Sequence, residues 1–199
     1  MTKDGNGFYY VLDDGKKISK YSPNFGYMMD FNHLFSNAAS VTSDISKNTI
    51  YVLEKGLNMI SIFSSDGKLS SQFGGNGTGN GKFISPVSIG FSVVDKTISI
   101  LDDKKLNIQI FSSSGDFLSQ FGGQGSSNGQ FLNPSSISYS GNGNLLVSDS
   151  GKNNVQIFSI PNYSYIDSFP IVSPSHLSNY YNSCSCFILS DNLITRLDS

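Results

Sequence analysis

A fourteen-residue passage occurs twice in this chain, 48 residues apart. The first copy runs Phe73-Gly-Gly-Asn-Gly-Thr-Gly-Asn-Gly-Lys-Phe83-Ile-Ser-Pro86. The second runs Phe121-Gly-Gly-Gln-Gly-Ser-Ser-Asn-Gly-Gln-Phe131-Leu-Asn-Pro134. A fixed period of roughly 20–50 residues marks stacked structural units, each too small to bury its own apolar faces. Such an array presents a rigid surface decorated by loops and has no catalytic centre by default.

The rest of the unit follows the same period. Ile98-Ser-Ile-Leu-Asp102 and Leu145-Leu-Val-Ser-Asp149 are short β-rich runs ending in an acid, and Ile50-Tyr-Val-Leu-Glu54 is an earlier copy. After a polar turn each leads to a second run: Ile60-Ser-Ile-Phe63, Ile108-Gln-Ile-Phe111 and Val155-Gln-Ile-Phe158. A third run ends at Phe73, Phe121 or Phe169, and a Ser-rich segment (38–43, 87–92, 135–140) completes the set. Four short antiparallel strands with tight turns make one blade of a β-propeller, an all-β fold whose core forms between blades. The whole chain, 1–199, reads as one propeller with units 32–73, 74–121 and 122–169. Units 1–31 and 170–199 are read as partial. The leading unit shows three strands, Phe8–Leu12, Ile18–Tyr21 and Tyr27–Phe31, and no inner one. The trailing unit shows Ser175–Tyr180, Phe187–Leu189 and Leu193–Leu197. About four to four and a half blades are therefore expected, in an incomplete or open ring. Its open blade edges are expected to favour self-association.

The pattern Gly-x-Phe-x-x-Pro, a strand ending in Asp and a Val-Gln-Ile-Phe strand resembles the NHL repeat. It is clearest from Gly129-Gln-Phe131 to Phe158 and from Gly81-Lys-Phe83 to Phe111. The resemblance implies a propeller, typically six-bladed, that engages protein partners, in some members beside ubiquitin-ligase domains. The family's Asn-His-Arg before the Val-Gln-Val-Phe strand is replaced here by Lys152-Asn153-Asn154 and Lys105-Leu106-Asn107. The arginine that pairs with the strand-end acid is thus missing, which leaves Asn107 and Asn154 as candidate partners of Asp102 and Asp149.

Composition removes several function classes. Net charge is −2 and Arg196 is the only arginine, so the basic stripe of a nucleic-acid binder is absent and no nucleic-acid partner is expected. No run approaches the roughly 18 consecutive apolar residues of a membrane span, and the polar opening Met1–Gly7 is no secretory signal. A cytoplasmic location follows if the chain is complete. Cys184 and Cys186 are too close for an unstrained disulfide and read as reduced thiols. The sequons at Asn76 and Asn162 would suit a secreted protein, and chance accounts for them about as well in so Asn- and Ser-rich a chain.

The Gly-rich loops lack the Gly-Lys-Ser/Thr ending of a phosphate-binding loop: Phe83 stands at the hydroxyl position and Gln130 replaces the lysine in the second copy. The recurring acids Asp13, Asp14, Glu54, Asp102, Asp103 and Asp149 lack calcium-loop spacing and suit turns. His33 and His176 are the only histidines, too few for a three-histidine metal centre, so no metal or cofactor is expected.

The function expected is a non-catalytic scaffold for a protein or peptide partner. The alternative is a lyase- or hydrolase-like propeller with a metal in the central channel, and a third is RNA binding, disfavoured by charge. In a four-stranded blade the crossover to the next blade and the second-to-third turn lie on one face. That face gathers Asn76, Asn80, Lys82, Gln124, Asn128 and Gln130 beside Asp102, Asp103, Lys104, Lys105, Lys152 and Asn153, the candidate binding residues.

Overall fold

The computed structural model describes the backbone of residues 1–179, 185–190 and 193–198, with side chains through residue 177. Among these residues every regular element is a strand. The first sheet contains β1 Thr2–Lys3, β2 Tyr9–Asp13, β3 Lys17–Tyr21 and β4 Tyr27–Asp30. The second contains β5 Ala38–Asp44, β6 Thr49–Glu54, β7 Met59–Ser64 and β8 Leu69–Gly74. The third contains β9 Pro86–Phe91, β10 Thr97–Asp102, β11 Asn107–Ser112 and β12 Phe117–Gly122. The fourth contains β13 Pro134–Tyr139, β14 Leu145–Asp149, β15 Asn154–Phe158 and β16 Tyr165–Pro170. The last is three-stranded: β17 Pro174–Asn179, β18 Ser185–Ser190 and β19 Leu193–Asp198.

Each sheet is an antiparallel meander in chain order. The inner strands β1, β5, β9, β13 and β17 lie one against the next, giving an open arc of blades. One expectation is corrected: the leading unit does possess an inner strand. β1 is two residues long and polar, so it carries no alternation to read, yet it pairs Thr2 with Tyr10 and Lys3 with Tyr9.

The core lies between blades because each strand alternates its side chains between two neighbours. Ile98 and Ile100 of β10 pack toward the second blade with Phe83 and Phe111, whereas Leu101 packs toward the fourth with Ile137 and Phe158. Serine and tyrosine stitch the same junctions. Ser99 Oγ lies 2.5 Å from Tyr139 OH, and the backbone N–H of Ile137 donates to Ser88 Oγ at 3.1 Å.

A bulge recurs at a fixed register. On the inner pair, Pro86 faces Asp102 but Ser88 faces Leu101, and the slip repeats from Ala38 to Ser40, Pro134 to Ser136 and Pro174 to His176. Proline is tolerated there because it opens an edge strand, where its missing N–H breaks no ladder bond. The bulge turns the strand-end acid toward the crossover loop, which is what organises the candidate site.

Candidate functional site: the loop face

Residues 75–85 and 123–133 carry the chain from one blade to the next. Gly74 and Gly75 have φ of 107° and 96°, and Gly75 N–H donates to Asn58 O at 2.7 Å. Only glycine holds that conformation without a Cβ penalty, and a Cβ on Gly74 would also meet the Phe83 ring at 2.8 Å. Phe83 is fully buried beneath its own loop, as Phe131 is beneath the next.

Three side chains clamp each loop. Gln109, buried in mid-strand, accepts from Gly81 N–H at 2.9 Å and donates to Lys82 O at 2.8 Å. Asp102 is fully buried and accepts backbone N–H bonds from Ile84, Ser85, Lys104 and Lys105 at 2.7–3.1 Å. Lys105 lays its ammonium on Gly79 O and Lys82 O, at 3.3 and 3.1 Å, and burial lowers its pKa. The next blade repeats the device. Gln156 bonds Gly129 N–H and Gln130 O, Asp149 takes the N–H groups of Leu132, Asn133 and Gly151, and Lys152 reaches Ser127 O and Gln130 O.

The first crossover solves the same problem differently. His33 stands where the other two have Gly81 and Gly129, two residues before the buried Phe. Its Nε2 lies 3.1 Å from Glu54 Oε1, with Ser36 N–H on Glu54 Oε2 and the Ser61 hydroxyl on Oε1. Ser61 bonds the carboxylate and not the imidazole, so the three groups form a clamp and not a nucleophile–base pair.

The expected binding residues therefore divide. Asn80, Lys104, Gln124, Asn128 and Asn153 are exposed at loop and turn tips. Asn76 and Lys82 are exposed too, with bonds to Asn58 Nδ2 and to Gly74 O. Asp103 and Gln130 are half-buried, the latter accepting from Ser127 N–H. Asp102 is corrected: it lies under the loop with its oxygens taken by backbone amides and offers nothing to a partner. Lys105 and Lys152 serve mainly as loop clamps. Asn107 does not partner Asp102; its amide donates to Gln120 Oε1, and the Oδ1 atoms of both Asn107 and Asn154 are unbonded.

Sequence reasoning missed Gln109 and Gln156 as clamps, although a glutamine repeated inside an otherwise apolar strand was the signal. It also missed an axial cleft of about 570 Å³ lined by the inner strands, including Ser40, Thr42, Ser88, Ser136 and Ser138. His176 occupies the register position of Ser40, Ser88 and Ser136, and it lines this cleft, whereas His33 does not. Among the described residues no three His, Cys, Asp or Glu side chains gather as metal ligands. Cys184 and the side chain of Cys186 lie outside the described residues.

This arrangement of meander sheets around an axis defines a β-propeller. Residues 88–183 match a family described as a 6-bladed beta-propeller. No curated protein matches the chain in sequence. Among solved structures it is similar to a streptogramin B lyase, with a TM-score of 0.71 at 13% identity over 99% of this chain and 67% of that one. It is also similar to a catalytically inactive virginiamycin B lyase from Staphylococcus aureus solved with quinupristin, with a TM-score of 0.68 at 15% identity over 98% and 67%. The hydrazine synthase of Kuenenia stuttgartiensis follows, with a TM-score of 0.64 at 10% identity over 82% and 46%. The chain thus spans about two thirds of the lyase chains. At these identities the likeness is one of fold.

Proposed function

We propose that the chain is a binding module that holds a protein or peptide partner on its loop face. The observation that carries this reading is the clamping of both crossover loops by buried Gln and Asp side chains. A loop whose backbone is already fixed loses little conformational entropy when its polar tips, such as Asn80, Lys104 and Asn128, engage a ligand. The NHL-like repeat pattern supports the same reading. A random peptide library displayed on phage and selected on the immobilised chain tests it. Enriched peptides are expected to slow amide exchange in residues 75–85, 103–107 and 123–133. Enrichment of none, or protection confined to the opposite turns, would overturn it.

A second reading has one observation in its favour: His176 in the axial cleft of a fold shared with the lyases. Incubation with quinupristin followed by mass spectrometry tests it, and conversion that is lost in His176→Ala would favour an enzyme. Unchanged compound removes lyase activity of that specificity.

A further inference from the structure

The loop face carries an apolar row as well as its polar tips. Ile84, Leu132 and Val172 each stand two residues before the proline that opens an inner strand, so they are one position in three successive blades. They are 41%, 44% and 69% exposed. The first crossover adds Leu34, 96% exposed, at the position held by Lys82 and Gln130 in the other two. Large aliphatic side chains scattered singly over a surface need no explanation, but one exposed at the same loop position in three consecutive blades is a repeated feature of that face. The clamps keep it exposed: Asp102 and Asp149 bind the backbone N–H of Ile84 and Leu132 themselves, so neither side chain can roll inward.

The charge around Ile84 and Leu132 is one-sided. The strand-end acids Glu54, Asp102 and Asp149 are fully buried under the loops and Asp103 is half-buried, whereas Asp13 and Asp14 lie exposed at the equivalent turn of the first blade, Asp14 paired with Lys16. Lys82 and Lys104 are exposed. Lys104 holds the position of Gly151 in the next blade, and a Cβ on Gly151 would come within 2.8 Å of the Leu132 Cβ. Asp102 holds the N–H groups of Lys104 and Ile84 on one carboxylate, so the exposed lysine and the exposed isoleucine leave the loop face from adjacent backbone.

We infer that the partner of the loop face is an acidic peptide segment with bulky apolar side chains. Its aliphatic or aromatic residues cover Ile84, Leu132 and Val172, and its carboxylates meet Lys82 and Lys104. The pairing rests on the binding-module reading above and gives it a ligand chemistry. Apolar contact supplies affinity, while the lysines reject a basic sequence of equal hydrophobicity.

The test uses a fluorescein-labelled peptide alternating Glu with Leu and Phe, a second with Lys for Glu, and a third with Ser for Leu and Phe. Anisotropy is expected to show the first binding at least about tenfold more tightly than either control. The triple variant I84S, L132S, V172S should lose about tenfold or more. Lys104→Glu should weaken the acidic peptide and improve the Lys peptide, with the salt dependence of an ionic contact. Melting curves matching the parent establish that the serine variant is folded; the exposed Lys104→Glu keeps the test decisive if it is not. Equal binding of acidic and basic peptides, or no effect of either variant, overturns the inference. If the library above instead selects loop-face peptides that are basic or lack apolar residues, the binding-module reading stands and this ligand chemistry fails. If a single-stranded RNA oligonucleotide binds and displaces the acidic peptide, the inference fails as well.

Discussion

Gln109 and Gln156 each stand between two aliphatic residues of their strand, and each is fully buried. A buried amide is stable only if its donor and acceptor are both used, and here the crossover loop supplies a matching N–H and C=O. Gln109→Leu keeps the volume but strands Gly81 N–H under the loop and leaves Lys82 O with the Lys105 ammonium as its partner. The expected cost is about 2 kcal/mol in a denaturant melt, with faster amide exchange at Gly81. A change within about 0.5 kcal/mol would mean that water replaces the side chain. Asp102 follows the same logic with greater weight, because four backbone donors converge on one carboxylate. Its burial turns a residue that looks like surface charge in sequence into a structural anchor.

The element that sets blade spacing is the pair formed by a crossover loop and the phenylalanine beneath it. Phe131 is fully buried, 6.1 Å from the Phe158 ring centroid, and lies against Gly122. Phe131→Ala should destabilise by about 3–5 kcal/mol, measured by denaturant melts. Gly122 has a φ of 101°, and a Cβ there would meet Phe131 Cε2 at 2.5 Å. Gly122→Ala should therefore also destabilise, by strain and by collision. Because the collision needs the ring, its cost should fall when Phe131 is already alanine, whereas strict additivity in that double-mutant cycle would show that φ strain alone is responsible.

At the scale of the molecule, tyrosines tie the blades together and set an upper pH limit. Burial raises the pKa of Tyr10, Tyr51, Tyr139 and Tyr163 above the ordinary value of 10.0, with Asp4 and Asp44 adding to the shift at Tyr10 and Tyr51. A raised folded-state pKa stabilises fully below the unfolded value and ever less above it, as the unfolded chain releases protons that the fold retains. Stability should accordingly hold up to about pH 10 and fall beyond it. Phenolate absorbance should show these tyrosines ionising only as strand ellipticity is lost. Ionisation of all ten tyrosines with the fold intact would contradict this.

The arc also leaves the outward face of the first blade uncovered, with Tyr9 stacked on Phe25 at 4.6 Å and Tyr27 exposed beside Tyr21. Concentration-dependent self-association through this face is expected in sedimentation velocity and should diminish in Phe25→Ser. A monomer of 21.6 kDa at every concentration would refute it.

Blade strands, their order and the phenylalanines of the core were legible in the chain because β-periodicity and a 48-residue repeat are local signals. The alternation in Ile98-Ser-Ile-Leu-Asp102 shows a strand, and its recurrence shows what the strand packs against. Nothing local marks β1, whose two polar residues become a strand only because β2 offers a free edge and β5 lies alongside. The roles of Gln109, Asp102 and Lys105 were equally hidden, since they answer backbone groups 18 to 28 residues away. Exposure at Ile84 and Leu132 likewise follows from where the clamps hold the loop and not from residue type. Repetition along the chain determined which segments are strands and that they stack. Which polar groups needed partners, and which apolar ones were left facing water, was decided only when the blades met, because satisfaction and burial belong to pairs of distant segments and not to either alone.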